Sequence, residues 1–376
     1  MRIIKLEIMR LAMPFETGRE VSKQAGGDVY NAASPELSKM ESLLVTLTTD
    51  TGLTGWGESF GHLINPVTFS ALKDSVGRFF MGKQVPTTKQ ELVTLMDQAK
   101  YAFHAFGCGG PVMYALSGID IALWDLLAKQ AGKPLYQYLG GNRSVIGGYA
   151  SLVRYEDKVE QHVKRALADG FTEIKLHEIE VPYIQAARDA LPVDGKLMVD
   201  VNCPWTLEQT ENLAPQLRTL NLTWLEEPLF PPNDLKKLAK LREQGIPIAA
   251  GENIDGVQGI EAHLMTQSVD ILQPSVAKIG GISAMLATFE LAKQYNIKVV
   301  PHCFYYGAGL LATAHLISLL DESVKVELPY IQWSTHLFPE MKIGPVFNLP
   351  DKPGLGFEPD IEVLQNHLIA YVNLEI

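Results

Sequence analysis

KLMVDVN at residues 196–202, LTWLEEP at 222–228 and IPIAAGEN at 246–253 are short apolar runs that each close on an acidic residue: Asp200, Glu226 and Glu252. The intervals are equal, 226−200=26 and 252−226=26. One strand, one helix and two short loops fill a segment of that length. The spacing predicts three successive parallel strands with carboxylates side by side on one rim. Neighbouring strands lie roughly 5 Å apart, so the three groups can share one ion. Three hard oxygen ligands converging on a point suit Mg²⁺. A metal there could hold a carboxylate substrate and stabilise the anion left when its α-proton departs. Any one of these residues alone would read as a cap on the following helix; the regular triple argues against that.

The same period extends both ways. From about Gly147, strand ends recur near every 25 residues, at Ser151, Lys175/His177, Asp200, Glu226, Glu252, Ser275, His302 and Glu327. Helical runs lie between them, such as KVEQHVKRALADG (158–170) and ISAMLATFELAKQYN (282–296). Seven crossovers joining eight strands are the count for an α/β chain folded as a TIM-like (β/α)₇β barrel. A doubly wound open sheet is the competing arrangement, and it has no reason to put polar residues at eight successive strand ends. Residues 131–344 are assigned to this barrel.

The first 130 residues read differently. IIKLEIMRLAM (3–13) is a strand, and ESLLVTLTTDTGLTGWGES (41–59) is a hairpin turning near Asp50-Thr51-Gly52. Helices follow over 89–103 and 114–132, the latter with Leu116, Ile119, Leu123, Leu126 and Leu127 at helical spacing. The polar segment 16–37 is long for a loop in a compact domain, which points to function or disorder. The Pro- and Gly-rich tail from about residue 345 to 376 reads as a return onto the N-terminal domain.

Bulk properties narrow the partners. The chain has 376 residues, is 47% hydrophobic and carries a formal net charge of −11. That charge argues against nucleic acid or an anionic membrane as main partner. No stretch approaches the about 18 apolar residues of a membrane helix. Cys108, Cys203 and Cys303 lack metal-site spacing, and with no signal-peptide pattern they favour a reducing, cytoplasmic location.

In a barrel of this kind the active site lies at the carboxyl ends of the strands. Lys175 and His177, two apart, would both face the interior. A lysine there needs anionic company, and a nearby divalent cation would lower its pKa, which suits proton transfer. His302 lies across the rim, so bases on opposite faces of a substrate become available. Asn202 shares a face with Asp200 and is placed to orient it or touch substrate. Glu227 points to the other face and reads as a structural carboxylate. Ser151, Lys278 and Glu327 complete the candidate substrate contacts.

As a set, Lys175-Leu176-His177, Asp200-x-Asn202, Trp224-x-Glu226-Glu227-Pro228, Gly251-Glu252-Asn253, Lys278-x-Gly280-Gly281 and His302 resemble the motifs of the enolase superfamily. The strand-seven histidine makes the chain most similar to the mandelate racemase subgroup of the mandelate racemase/muconate lactonizing enzyme-like proteins. The resemblance covers nearly the whole chain. It implies an α+β capping domain over residues 1–130, completed by the return at 345–376. It implies Mg²⁺ on Asp200, Glu226 and Glu252, and abstraction of a proton α to a carboxylate to give an enediolate. It also implies a small carboxylate substrate, a specificity loop at 16–31 and a homo-oligomer.

Two positions depart from the family pattern. The second lysine of K-x-K is His177. The aspartate that pairs with the strand-seven histidine is Ser275, so His302 lacks its usual carboxylate and suits the role of acid better than base. That favours a lyase: dehydration of a hydroxy-acid, a sugar acid or hydroxylated amino acid, to a 2-keto acid. Lys175 or His177 would take the α-proton and His302 would protonate the leaving hydroxyl. A racemase or epimerase on the same site is the first alternative, and a metal-binding barrel without catalysis the second.

Overall fold

The computed structural model describes residues 1–18, 38–107 and 109–376. Alternating apolar and polar residues make an antiparallel sheet from β1 (Ile3–Glu16), β2 (Lys39–Thr49) and β3 (Thr54–Ser59). The hairpin turns at Asp50-Thr51-Gly52, where Gly52 N donates to Thr49 O at 2.9 Å. The helix Gly110–Gln130 lies against this sheet and is buried along most of its length. Among the described residues it alone is long and apolar enough to cross a membrane, contrary to the expectation that no stretch approaches that length. Of its most apolar window, 83% is buried in the protein, which explains the composition as core packing.

Eight parallel strands follow: β4 (Val145–Ser151), β5 (Glu173–Leu176), β6 (Lys196–Asp200), β7 (Trp224–Glu226), β8 (Ile248–Ala250), β9 (Ile271–Leu272), β10 (Lys298–Val299) and β11 (Val326–Pro329). They pair in the order β10-β9-β8-β7-β6-β5-β4-β11, curling into a barrel. A helix stands in each crossover, from Val159–Ala168 to Ala308–Ile317. The two ends of the sheet are joined where Cys303 N donates to Glu327 Oε2 at 2.9 Å. β12 (Gln332–Trp333) and β14 (Leu368–Glu375) both pair with β1, while β13 (Val346–Asn348) pairs with β4. The chain after β11 therefore touches both sheets.

The strands are shorter than the sequence period suggests. Asp200 and Glu226 are register partners at the ends of β6 and β7. Glu252 lies two residues past β8, and Ser275 and His302 lie three past β9 and β10. Glu327 sits inside β11 rather than at its end. Beyond β8 the chain bends inward at Gly251, where a Cβ would come within 2.4 Å of the Gln273 backbone. Only glycine permits that approach, and it carries Glu252 toward the barrel axis.

Candidate active site

Beneath the mouth of the barrel lies a buried ionic layer. Lys175 Nζ is 2.6 Å from Glu327 Oε1, 3.2 Å from Glu226 Oε1 and 3.5 Å from Asp200 Oδ2. Ser151 Oγ donates to Glu327 Oε1 at 2.7 Å. Glu226 Oε2 accepts from Gln273 Nε2 at 2.8 Å and from Trp224 Nε1 at 3.0 Å. Lys175, Ser151, Glu226 and Glu327 thus interlock below the cavity and are not in its lining. Burial would lower the Lys175 pKa, but Glu226, Glu327 and Asp200 outweigh it and hold the ammonium well above the usual lysine range. That direction is set by the three carboxylates packed around the lysine. Burial pushes Glu226 up to about 7, with Lys175 opposing and Asp200 adding to the rise.

Above this layer opens a cavity of about 480 Å³. His177, Asp200, Asn202, Glu252, Lys278 and His302 line it, so these six sequence candidates come together. Asn202 donates to Asp200 Oδ1 from its backbone nitrogen at 3.0 Å and from Nδ2 at 2.9 Å, fixing that carboxylate. Lys278 Nζ donates to Asn253 Oδ1 at 2.7 Å and stands 4.4 Å from the centre of the Phe60 ring.

The two cavity histidines are held differently. His177 Nδ1 lies 2.5 Å from the carbonyl oxygen of Leu152. A carbonyl only accepts, so Nδ1 carries the proton. In the neutral ring Nε2 is then a free acceptor, 3.5 Å from Asp200 Oδ2. His302 Nε2 lies 2.7 Å from Glu252 Oε2, and its buried Nδ1 has no partner. Burial would pull the His302 pKa down, but Glu252 outweighs it and the net shift is upward. Burial would raise Glu252, but His302 and then Lys278 hold it well below the carboxylate range. Ser275 does not reach His302: its hydroxyl bonds to Tyr305, while the two backbones share a parallel bridge.

Several lining residues were not legible in the sequence. Glu227 faces the cavity beside Asp200 and Glu252, which corrects the reading that it points away. β7 ends at Glu226 and Glu227 has φ 44°, so strand alternation no longer applies there. Burial, then Glu252 and Asp200, raise its carboxyl well above the ordinary range. The capping domain supplies Phe60, His62, Leu63 and Tyr114. His62 is driven down to about 4 by burial and by the positive fields of His302 and Lys278. His62 and Tyr114 stand on cap elements and not at barrel strand ends, so the strand-end period does not reach them. Residues 19–31 of the expected specificity loop lie outside the described residues.

The donor set fits a divalent cation. Asp200, Glu226, Glu227, Glu252 and Glu327 are five carboxyl groups clustered with Lys175, Lys278 and His302. Asn202 Oδ1 and Gln273 Oε1 are buried acceptors without a donor. Among the described residues no three His, Cys, Asp or Glu side chains stand ready as ligands, because Glu226 is turned to Lys175 and Glu252 to His302.

Residues 158–363 match the profile of "Enolase C-terminal domain-like" proteins. Residues 30–140 match "Mandelate racemase / muconate lactonizing enzyme, N-terminal domain". The chain belongs to the mandelate racemase/muconate lactonizing enzyme-like family of the enolase superfamily. Within that family it is 31% identical over 343 residues to the L-talarate/galactarate dehydratase of Salmonella typhimurium, covering 88% of this chain and 83% of that one. It is 29% identical over 361 residues to the D-galactarolactone cycloisomerase of Agrobacterium fabrum, covering 89% and 93%. The fold matches that of L-talarate dehydratase from Polaromonas sp. JS666, whose structure contains Mg and L-glucarate, with a TM-score of 0.83, 24% identity and coverage of 100% and 99%. These relatives are sugar-acid dehydratases and cycloisomerases by name, and the family is one of enzymes.

Proposed function

We propose that this protein is a Mg²⁺-dependent hydro-lyase that dehydrates a sugar acid to a 2-keto-3-deoxy acid. The observation that carries the reading is the pair of histidines. His177 bonds through Nδ1 to the Leu152 carbonyl, which in the neutral ring leaves Nε2 as an acceptor on the cavity side. His302 is a buried imidazole whose Nε2 proton is held by Glu252 and whose pKa is raised. One is arranged as a base and the other as an acid.

Asp200, Glu226 and Glu252 would hold the Mg²⁺, with Glu227 and Asn202 beside them. Bound there, it would supply Lewis-acid stabilisation of charge developing on the substrate carboxylate. The α-proton passes to His177 Nε2, the bond between the β-carbon and its hydroxyl breaks, and the hydroxyl leaves as water with a proton from His302. The resulting enol tautomerises to the 2-keto acid. On this reading Lys175 is not the base, since it lies outside the cavity lining. It orients Glu226 and Asp200 instead.

A racemase needs two bases of similar strength. His302, without a carboxylate at position 275, is bonded through Nε2 to Glu252, whereas His177 is bonded through Nδ1, so the two rings are held unlike one another. The test is turnover of a panel of five- and six-carbon aldonates and aldarates with Mg²⁺, read as 2-keto product. Chelation by EDTA abolishes turnover and Mg²⁺ restores it. Epimerised acid without keto product, or turnover indifferent to EDTA, contradicts the proposal.

A further inference from the structure

We propose that Glu58 is a positioning residue of this site, a buried carboxylate on the capping sheet that fixes cap residues 60–62 against barrel residues 302–309. The proposal rests on the reading that the cavity is catalytic. Glu58 stands on β3 and is 2% exposed. Its Oε2 accepts from Gly309 N at 2.7 Å, in the first turn of the barrel helix Ala308–Ile317, and the Ser42 hydroxyl donates to the same carboxylate. A helix N-terminus has unsatisfied N–H groups and a positive field, so a carboxylate from another domain caps it well.

The barrel is shaped to receive this group. A Cβ at Gly307 would lie 2.7 Å from Glu58 Oε2, and one at Gly309 would lie 3.2 Å away. Gly307 has φ −160°, which any residue adopts. A side chain there would meet the carboxylate and not the backbone, so one of the two must shift.

Both strands of the joint lead into the cavity. One residue past Ser59, Phe60 N donates to Ala277 O at 3.0 Å. Two residues before Gly307, the Tyr305 ring meets Phe60 at 6.2 Å, His62 at 6.2 Å and His302 at 6.0 Å. With Nδ1 of His302 unpartnered, ring packing is what orients it beyond its bond to Glu252. Glu58 touches no reacting group and acts through this packing. Asp125 offers a comparison: it is also a buried cap carboxylate, but it accepts from Trp56 N and Leu355 N, away from the cavity lining.

The test is hydrogen exchange on the full chain, with steady-state kinetics and Mg²⁺ affinity. In Glu58→Ala, exchange rises in 58–62 and 302–309 and stays unchanged in 196–202 and 224–228. Misplacement of that order lowers kcat by about 10- to 100-fold, while Mg²⁺ affinity is retained. Glu58→Gln, whose amide oxygen still accepts from Gly309, restores most of kcat. Gly307→Ala loosens the same segments from the opposite side and has less effect once Glu58 is alanine. Uniform exchange across the barrel, equal loosening of 302–309 in Asp125→Asn, or full kcat in Glu58→Ala overturns the proposal. Should Glu58→Ala not fold, Glu58→Gln and Gly307→Ala decide it by the same readouts. Should the wild type turn over no sugar acid, the dehydratase reading fails, and the exchange pattern still decides whether Glu58 fixes these segments.

Discussion

The layer under the cavity and the wall around it are built from different material. Below, Lys175, Glu226, Glu327 and Ser151 come from strands and bond to one another. Around the cavity, His62, His177, Lys278 and His302 come from loops past the strand ends and from the cap. The lower layer holds charge in place, and the wall leaves ring nitrogens free: Nε2 of His177, and Nδ1 of His62 and His302. On the proposed reading, the groups that fix the field of the site are separate from those that would move protons.

That division can be broken by substitution. Lys175→Met leaves three buried carboxylates without their cation. It is expected to destabilise the protein by roughly 3–5 kcal/mol, as removal of one partner from a buried pair does. Urea denaturation measures this, and a change under about 1 kcal/mol would mean the lower layer is not a charge lock. His177→Asn should do the reverse: kcat falls by about 10²–10⁴-fold, the usual contribution of a general base, with the unfolding midpoint unchanged. Equal loss of stability would merge the two regions into one.

A third test concerns the joint that carries the wall. Asp120, on the helix Gly110–Gln130, accepts from Ser283 N at 3.0 Å across the two domains, and burial raises its carboxyl to about 7 from 3.8, against the Ser283 hydrogen bonds. The folded pKa lies above the unfolded one, so this contribution is complete below pH 4 and is lost as pH rises toward 7. The slope is at most about 1.4 kcal/mol per pH unit. Stability measured from pH 4 to 7 should flatten in Asp120→Asn; an unchanged slope would show that Asp120 ionises freely in the joint.

What was legible in the sequence follows the same boundary. Asp200 and Glu226 were readable because ladder register carries them to one level. Glu227 was misread because alternation stops one residue before it. Ser151 and Glu327 were read as substrate contacts at strand ends, yet they bond to each other outside the cavity lining, through the pairing of β4 with β11 across 176 positions. Tyr114 and His62 reach the cavity only through packing of the cap on the barrel, and local periodicity carries no trace of that. The barrel itself was readable because its period repeats; the order in which side chains stack along its axis was not.

The account turns on His302 acting as the acid. The decisive measurement is His302→Asn with Mg²⁺ and an active sugar acid in D₂O, followed by NMR. The predicted result is exchange of the α-hydrogen for deuterium with 2-keto acid formation strongly reduced, since His177 still removes the proton and nothing delivers one to the hydroxyl. Loss of α-exchange together with keto product, or wild-type protein that inverts the α-carbon without releasing water, would contradict it.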